Sequence, residues 1–349
     1  MNATPLPPEG DRRTNVGGML IDGDPDESPL LTMERREVGG VTTVILGIPG
    51  VGKSALAYRL AHRRLGKEML WVRGNTDDSW WWLWRRQAIV WVPRGSGAVV
   101  VGLRGRERLP VDADVREYSS IPDLLAKASE DHANVVYFGS YPRGVTIHLE
   151  QWLDLLEAVL DRGDRVPQLI LDDEAHVVAP EGAGAYDGGY QRVKRLLAIL
   201  ADARRAEVSL VLAGHQAHDL SYAVLGKAHY TLLLPGARVP SYLDTEAVPQ
   251  DLLRRIHRGQ GVAVGGTALG LRWEQFDFSP LPPREYSVVV GMAKSPSPPL
   301  PRPSYLIERT QSEDRSLLCE GCGRAYTSRA KRPQCPECGG RAARTLEVA

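Results

Sequence analysis

The sequence predicts an α/β fold, in which a mainly parallel β-sheet carries helices on both faces, followed by a small module built around cysteines. From residue 41 onward, short apolar runs alternate with longer amphipathic segments, a pattern typical of buried parallel strands joined by helices. A glycine-rich loop joins the first apolar run to the first amphipathic segment. All four cysteines lie close together, between residues 319 and 338.

The elements follow one another in strand–helix order, as crossover connections between parallel strands require. Gly, Pro or Asp residues mark most of the junctions. The predicted strands are 41–46, 68–72, 134–138, 168–172, 208–213 and 229–234. The predicted helices are 53–65, 121–131, 148–161, 190–206 and 249–258.

Composition shifts divide the chain into four parts. Residues 1–37 carry Pro, Gly, Asp and Glu with little apolar periodicity, and we interpret them as a flexible N-terminal tail. The α/β domain covers 38–290, with an insertion at 73–118. A proline-rich linker at 291–308 separates it from the cysteine module at 309–349, because proline continues neither a helix nor a central strand.

The insertion is rich in Trp and Arg and has apolar pieces at 88–92 and 98–103, which favour a β-hairpin added to the core. Two interpretations of its tryptophans stay open. They pack the insertion onto the sheet or a subunit interface, where Trp and Arg are enriched, or they stack on the bases of single-stranded nucleic acid. The tryptophans concerned are Trp80, Trp81, Trp82, Trp84 and Trp91.

The overall charge and apolar content restrict the function classes. Lys plus Arg and Asp plus Glu each total 43, so the formal net charge is zero and a polyanion would need a local basic patch. No stretch reaches the ~18 to 20 apolar residues that cross a bilayer, and the N-terminal segment lacks a signal-peptide core. We therefore expect a cytoplasmic protein without a transmembrane segment.

The glycine-rich loop matches the P-loop pattern at every required position. Its glycines let backbone N–H groups approach phosphate oxygens, Lys53 would reach the β- and γ-phosphates, and the Ser54 hydroxyl would bind Mg²⁺. The loop follows a predicted strand and opens a predicted helix, which places the phosphates at a helix N-terminus. The sequence thus predicts ATP and Mg²⁺ as cofactors, bound by Gly47, Pro49, Gly50, Val51, Gly52, Lys53, Ser54 and Ala55.

A second motif places three carboxylates at the end of a buried strand. Such clustering is unfavourable without a nearby cation, which Mg²⁺ supplies. We assign Asp173 to the metal and Glu174 to the attacking water. Asp172 takes the metal role if the register is one residue earlier. The alternative is that the carboxylates cap the next helix.

Other nucleotide-binding classes fit less well. The sequence has no Asn-Lys-x-Asp motif for guanine and no Leu-Ser-Gly-Gly-Gln signature of transporter ATPases. The two motifs above indicate a P-loop NTPase of the RecA/ASCE type that hydrolyses ATP.

The order of the motifs resembles the HerA/FtsK superfamily of P-loop motors. The glycine-rich loop is followed by a strand ending in Asp-Glu-Ala-His, a helix rich in Arg, and a strand leading to His215-Gln216. The resemblance covers residues 38–275. That superfamily includes DNA translocases, conjugation ATPases and genome-packaging ATPases of tailless membrane-containing viruses. A viral member would act in the host cytoplasm or the virion.

The resemblance implies a ring, usually a hexamer. In it, Gln216 would contact the γ-phosphate, and an arginine would reach the phosphate of the neighbouring subunit. Arg204 and Arg205 are the matching positions, and the choice between them stays open because Glu207 stands where a glycine commonly follows the arginine. The alternative is that both are solvated charges near a helix C-terminus. Two histidines that border the site, His176 and His215, are candidates for tuning it.

The cysteines form two Cys-x-x-Cys pairs separated by twelve residues, and four thiolates satisfy a closed tetrahedral Zn²⁺ site. The alternative is two disulfides. The module resembles a zinc ribbon, whose basic residues contact nucleic acid or whose surface docks a protein partner. The predicted ligands are Cys319, Cys322, Cys335 and Cys338. The basic residues are Arg324, Arg329, Lys331, Arg332, Arg341 and Arg344.

Two functions follow from these observations. The first is a ring motor that hydrolyses ATP, is stimulated by DNA and translocates it, with viral genome packaging as one form. The alternative is a nucleotide-gated assembly factor whose zinc ribbon binds a protein partner.

Overall fold

A computed structural model of the chain divides it into two compact units, Met1–Ser295 and Pro296–Ala349. The residues that it describes are 39–74, 79–139, 145–162, 166–182, 188–240, 250–267, 270–278, 285–292, 315–319, 325–328 and 342–345. The predicted tail at 1–37 and most of the predicted linker lie outside the described residues.

The first unit is a mixed α/β structure. Its strands are β1 (Thr42–Leu46), β2 (Met69–Arg73), β3 (Ala88–Pro93), β4 (Val99–Arg104), β5 (Glu107–Pro110), β6 (Asp114–Tyr118), β7 (Ala133–Val136), β8 (Gln168–Asp172), β9 (Val208–Gly214), β10 (Tyr230–Leu233), β11 (Gln260–Thr267), β12 (Gly270–Asp277) and β13 (Ser287–Gly291). Its helices are α1 (Lys53–His62), α2 (Ser79–Trp84), α3 (Ile121–Lys127), α4 (Val145–Leu160), α5 (Ala175–Val178), α6 (Gly189–Ala203), α7 (Tyr222–Leu225) and α8 (Gln250–Arg255).

Ten strands form one large sheet in the order β12-β11-β10-β1-β9-β8-β2-β7-β3-β6. From β10 to β6 all neighbours are parallel, whereas β11 and β12 form an antiparallel hairpin at one edge. The inner strands β1, β2, β8 and β9 are buried along their whole length. Continuous apolar runs therefore form the centre of the sheet, as expected for strands covered on both faces.

Helices cover both faces of this sheet, as the sequence predicts. One hydrophobic core contains apolar residues of α1 and α2, and the other contains apolar residues of α3, α4, α6 and α8. Every predicted strand and helix has a counterpart within a few residues of its predicted limits. None of the helices in the described part of the chain is long and apolar enough to cross a membrane.

The insertion at 73–118 corrects the prediction of a simple added hairpin. A hairpin of β4 and β5 is present and pairs with β13 in a small antiparallel sheet. However, β3 and β6 extend the large sheet instead. The burial patterns explain the difference: β3 is buried at five successive positions, whereas β4 alternates between exposed and buried residues. Alternation is typical of a sheet covered on one face only.

The tryptophans of the insertion belong to the core. Trp80, Trp81 and Trp84 lie on the short helix α2 and are at most 1% exposed, as is Trp91 of β3. Trp82 is half-buried, and its ring lies 5.2 Å from that of Tyr286. The core interpretation is therefore confirmed for the four buried rings, which are not accessible for stacking on bases.

In the second unit the described residues form a three-stranded antiparallel sheet in the order β15-β14-β16. Its strands are β14 (Arg315–Cys319), β15 (Ala325–Ser328) and β16 (Ala342–Thr345). Cys319 is the last residue of β14. Cys322, Cys335 and Cys338 lie outside the described residues, so the zinc site stays a prediction.

Candidate nucleotide site

Three strands position the candidate site, and β9 is the central one. It pairs in parallel with β1 on one side and with β8 on the other, so that Gly214 lies opposite Leu46 and Leu212 lies opposite Asp172. Neighbouring strands are about 4.8 Å apart, which places the ends of β1 and β8 about 10 Å apart. The glycine-rich loop, the acidic turn after β8 and the end of β9 therefore meet at one edge of the sheet.

The glycine-rich loop between β1 and α1 depends on glycine at two positions. Gly50 has φ 84° and Gly52 has φ 106°, in the left-handed region where a Cβ causes strain. A Cβ on Gly52 would also lie 3.1 Å from the Phe278 ring. The Gly47 N–H donates to the His215 carbonyl at 2.9 Å, which fixes the start of the loop to the end of β9.

The N-terminus of α1 faces an open loop and carries no competing anion. Gly52 is its N-cap residue, no side chain caps the helix, and the first turn has no acidic residue. Residues 48–50 are exposed, Ser54 is half-buried, and the side chains of Val51 and Ala55 are buried. The uncapped N–H groups of the first turn suit an anion. Loop and helix terminus together fit a phosphate chain.

Lys53 lies folded into this loop. Its Nζ donates to the carbonyl of Ile48 at 3.1 Å, and the residue is only 8% exposed. Burial lowers its pKa from the ordinary value, and the Asp173 carboxylate raises the pKa in opposition. The lysine and the acidic turn thus interact electrostatically across the end of β9.

The acidic turn after β8 is held by a buried network around Asp172. Oδ1 of Asp172 accepts hydrogen bonds from Nε and Nη2 of Arg73 at 2.9 and 2.7 Å, and Oδ2 accepts one from Nε1 of Trp152 at 3.0 Å. The backbone N–H of Glu174 donates to Oδ1 at 3.1 Å. Arg73 Nη2 also donates to the Glu174 carbonyl at 3.1 Å. Arg73 therefore fixes both ends of the turn.

These contacts give the three carboxylates different surroundings. Both oxygens of Asp172 are engaged by protein donors, which argues against this residue as the metal ligand. Asp173 is buried, and its carboxylate interacts electrostatically with Lys53. Glu174 is half-buried. Glu174 occupies the N-cap position of α5 but makes no side-chain cap hydrogen bond. Helix capping therefore does not account for its carboxylate.

Gln216 follows β9 and lies between the two halves of the site. Its backbone N–H donates to Oδ2 of Asp219 at 3.1 Å, and its Nε2 donates to the carbonyl of Gly236 at 3.2 Å. Within the described residues, its buried Oε1 accepts no hydrogen bond. The amide nitrogen thus bonds to the backbone, whereas the amide oxygen has no donor among the described residues.

Two histidine rings connect the acidic turn to the end of β9. The centroids of His176 and His215 are 4.5 Å apart. Burial lowers the pKa of His176, and the neighbouring His215 acts in the same direction. An uncharged His176 at neutral pH adds no positive charge beside the carboxylates.

Arg204 and Arg205 do not reach the nucleotide site of their own chain. Both are exposed at the C-terminal end of α6, and the Arg204 carbonyl accepts a hydrogen bond from the N–H of Gly40, which precedes β1. The five residues of β1 span about 16 Å between this edge and the glycine-rich loop. Glu207, where the resemblance expects glycine, has a left-handed φ of 58°.

Two residues of the site were missed by the sequence analysis, namely Arg73 and Trp152. Arg73 ends the otherwise apolar strand β2, and a lone charge there is a signal for a buried partner. Trp152 lies among apolar residues of α4 and gives no such signal.

The described residues, which include only one of the four cysteines, contain no group of three or more His, Cys, Asp or Glu side chains that could hold a metal ion. No family model matches the chain, and no curated protein matches it. The fold does resemble chains of known structure. The genome packaging NTPase B204 from Sulfolobus turreted icosahedral virus 2 has 14% identity and a TM-score of 0.44, over 70% of this chain and 99% of that one.

VirB4 of Thermoanaerobacter pseudethanolicus has 16% identity and a TM-score of 0.49, over 77% of this chain and 98% of that one. These identities and TM-scores are too low to assign the protein to a family.

Proposed function

We propose that the chain is a Mg²⁺-dependent ATPase that forms a ring and translocates DNA. The observation that carries the ATPase proposal is the position of β9. It lies between β1, which leads into the glycine-rich loop, and β8, which leads into the Asp173-Glu174 turn, and Gln216 follows it by two residues. This is the arrangement of the RecA/ASCE class, in which the catalytic glutamate follows the acidic strand.

The phosphates would bind to Lys53 and to backbone N–H groups between residues 50 and 55, since Pro49 has no N–H and the Gly47 N–H donates to His215. Ser54 and Asp173 would hold Mg²⁺, since hydroxyl and carboxylate oxygens suit this ion. When bound, the ion would neutralise charge on the transferred phosphoryl group. The electrostatic interaction between Asp173 and Lys53 supports a shared site.

Glu174 would orient the attacking water and accept its proton. Gln216 would contact the γ-phosphate and the water through its amide. Arg73 and Trp152 act as positioning residues, because they hold Asp172 and the backbone of Glu174 rather than the reacting atoms. A general base of this kind typically contributes about 10² to 10⁴ in rate.

The position of Arg204 and Arg205 supports an assembly. Both are exposed and far from their own loop, so either can act only on the nucleotide of another subunit. A trans arginine contributes about 10³ to 10⁵ in rate. We propose a ring, by resemblance a hexamer, in which one of the two arginines completes the neighbouring site.

DNA as the cargo rests on the motif resemblance. The zero net charge favours the competing function, in which ATP gates an assembly that a protein partner joins through the proposed zinc ribbon. Stimulation of turnover by DNA separates the two.

The test measures ATP turnover with and without double-stranded DNA for the wild-type protein, Glu174→Gln and Glu130→Gln, with the oligomeric state followed by light scattering. Glu130 is an exposed carboxylate outside the site and serves as the matched control. We expect several-fold stimulation by DNA in a ring-sized species, and a loss of about 10² or more in Glu174→Gln.

If the wild-type protein is a monomer or dimer whose ATP turnover does not change when DNA is added, the assembly factor is favoured. Full activity in Glu174→Gln would refute the assigned base.

A further inference from the structure

We propose that the tip of the β4–β5 hairpin binds the phosphate backbone of duplex DNA. The hairpin turns tightly through Gly105 and Arg106, between the last residue of β4, Arg104, and the first residue of β5, Glu107. Gly105 has the left-handed φ of 62° that such a two-residue turn requires. This proposal rests on DNA as the cargo of the proposed motor and adds a contact surface outside the nucleotide site.

The tip concentrates positive charge. Arg104, Arg106 and Arg108 are all exposed, and the single acidic residue among them is Glu107, so the net charge of residues 104–108 is +2. Glu107 lies directly across the hairpin from Arg104. None of the ion pairs found among the described residues involves these three guanidinium groups.

Two other arginines of the first unit are paired with carboxylates instead. Arg116 on β6 is equally exposed, but it binds Asp114 through hydrogen bonds of 3.1 and 2.7 Å. Arg195 on α6 is surrounded by three carboxylates of α4. For a chain without net charge, the hairpin tip is therefore a local site for an anion.

The pairing register distributes the arginines around the ribbon. Cross-strand partners share a face, so Arg108 lies on the face of Leu103 and Arg104 lies on the opposite face with Glu107. Arg106 occupies the turn between them. A two-stranded ribbon fits the major groove of B-DNA, which is about 12 Å wide. Arginines on both faces would reach phosphates on both sides of the groove.

The base of the hairpin is packed into the core, whereas the described residues leave its tip exposed. Val100 of β4 and Val288 of β13 are 8% and 5% exposed in the hydrophobic core. β13 pairs with β4 only as far as Leu103, so Arg104 and the turn extend beyond it. A packed base and a protruding basic tip suit a contact made without refolding.

The phosphodiester backbone fits better than an acidic protein. The three guanidinium groups lie on both faces of the hairpin and on its turn. This arrangement matches phosphate charges that repeat along a groove, whereas an acidic protein segment would dock on one face only. The outer face of the same small sheet exposes Val99 and Val289. Binding of a protein there would not depend on the tip arginines.

The experiment measures fluorescence anisotropy of a labelled duplex of mixed sequence with the full-length protein, over a series of salt concentrations. The variants are Arg104→Gln/Arg106→Gln/Arg108→Gln, the same three positions changed to Lys, and Arg116→Gln as the matched control. The glutamine variant should bind at least about tenfold more weakly, and the slope of log affinity against log salt should become shallower by about 2 to 3. The lysine variant and the control should keep most of the affinity.

Basal ATP turnover and the thermal midpoint should be unchanged in the glutamine variant, because the tip lies outside the nucleotide site and is exposed. Wild-type affinity and salt slope in that variant, together with DNA-stimulated turnover, would overturn the hairpin proposal and leave the motor intact. A wild-type protein that neither binds DNA nor responds to it would overturn both. If the glutamine variant lost binding to polyglutamate but kept its binding to DNA, the partner of the hairpin tip would be an acidic protein.

Discussion

The two halves of the proposed nucleotide site are built in different ways. The glycine-rich loop takes its shape from the backbone, with left-handed glycines at 50 and 52 and a hydrogen bond from Gly47 to β9. The acidic turn takes its shape from side chains that come from other elements, with Asp172 held by Arg73 of β2 and Trp152 of α4.

This difference determines which substitutions disturb each half. A loop shaped by its own backbone is disturbed locally, by a Cβ where none fits. A turn shaped by a buried ion pair is disturbed by losing a distant partner, because the remaining charge has no compensation. The loop should therefore tolerate changes around it, whereas the turn should be sensitive to residues far away in sequence.

The largest expected effect is on the acidic turn, which the buried network around Asp172 holds. Replacing Arg73 with Met leaves Asp172 buried without its cation, and we expect the free energy of unfolding to fall by about 3 to 5 kcal/mol. Urea denaturation at neutral pH measures this. The matched control Arg116→Met removes an exposed pair and should change stability by less than about 1 kcal/mol.

A second variant sharpens the result. Combining Arg73→Met with Asp172→Asn removes the unpaired charge and should recover part of the loss. Equal losses in Arg73→Met and Arg116→Met would show that the network does not determine stability.

The next largest effect is expected for a substitution in the glycine-rich loop. In Gly50→Ala the new Cβ meets no atom within 4 Å, so only the left-handed backbone is strained, by about 1 to 2 kcal/mol. Gly214→Ala is the control, since its φ is not positive and its Cβ would make ordinary contacts from 3.7 Å. The unfolding free energies of the two variants should differ accordingly. Equal values would mean that the loop relaxes without strain.

The smallest expected effect is a loss of folding stability at acidic pH. The pKa of His176 is lowered from its usual 6.5 in the folded protein. As the pH falls below this value, the unfolded chain takes up a proton that the folded chain does not, so stability falls. The urea midpoint should therefore drop more in wild type than in His176→Gln between roughly pH 7.5 and 5.5. The exposed His218→Gln serves as control and should behave like wild type.

The same contrast explains what could be predicted from the sequence. The glycine-rich loop is a continuous motif, and the α/β order follows from apolar runs, so both were predictable. The different surroundings of Asp172 and Asp173 were not, because Arg73 and Trp152 meet Asp172 only in the folded chain. The insertion was predicted incompletely, since β3 joins the large sheet through pairing with β7, and no local pattern specifies that partner.

The strand order also has a consequence for synthesis. β1 is made early, yet its two neighbours, β9 and β10, begin only at Val208 and Tyr230. Until both have left the ribosome, a strand that is fully buried in the folded protein has two open edges, and such edges recruit other chains. We therefore expect the nascent protein to need protection from chaperones between the synthesis of β1 and that of β10, and the proposed nucleotide site to form only after β9 has been made.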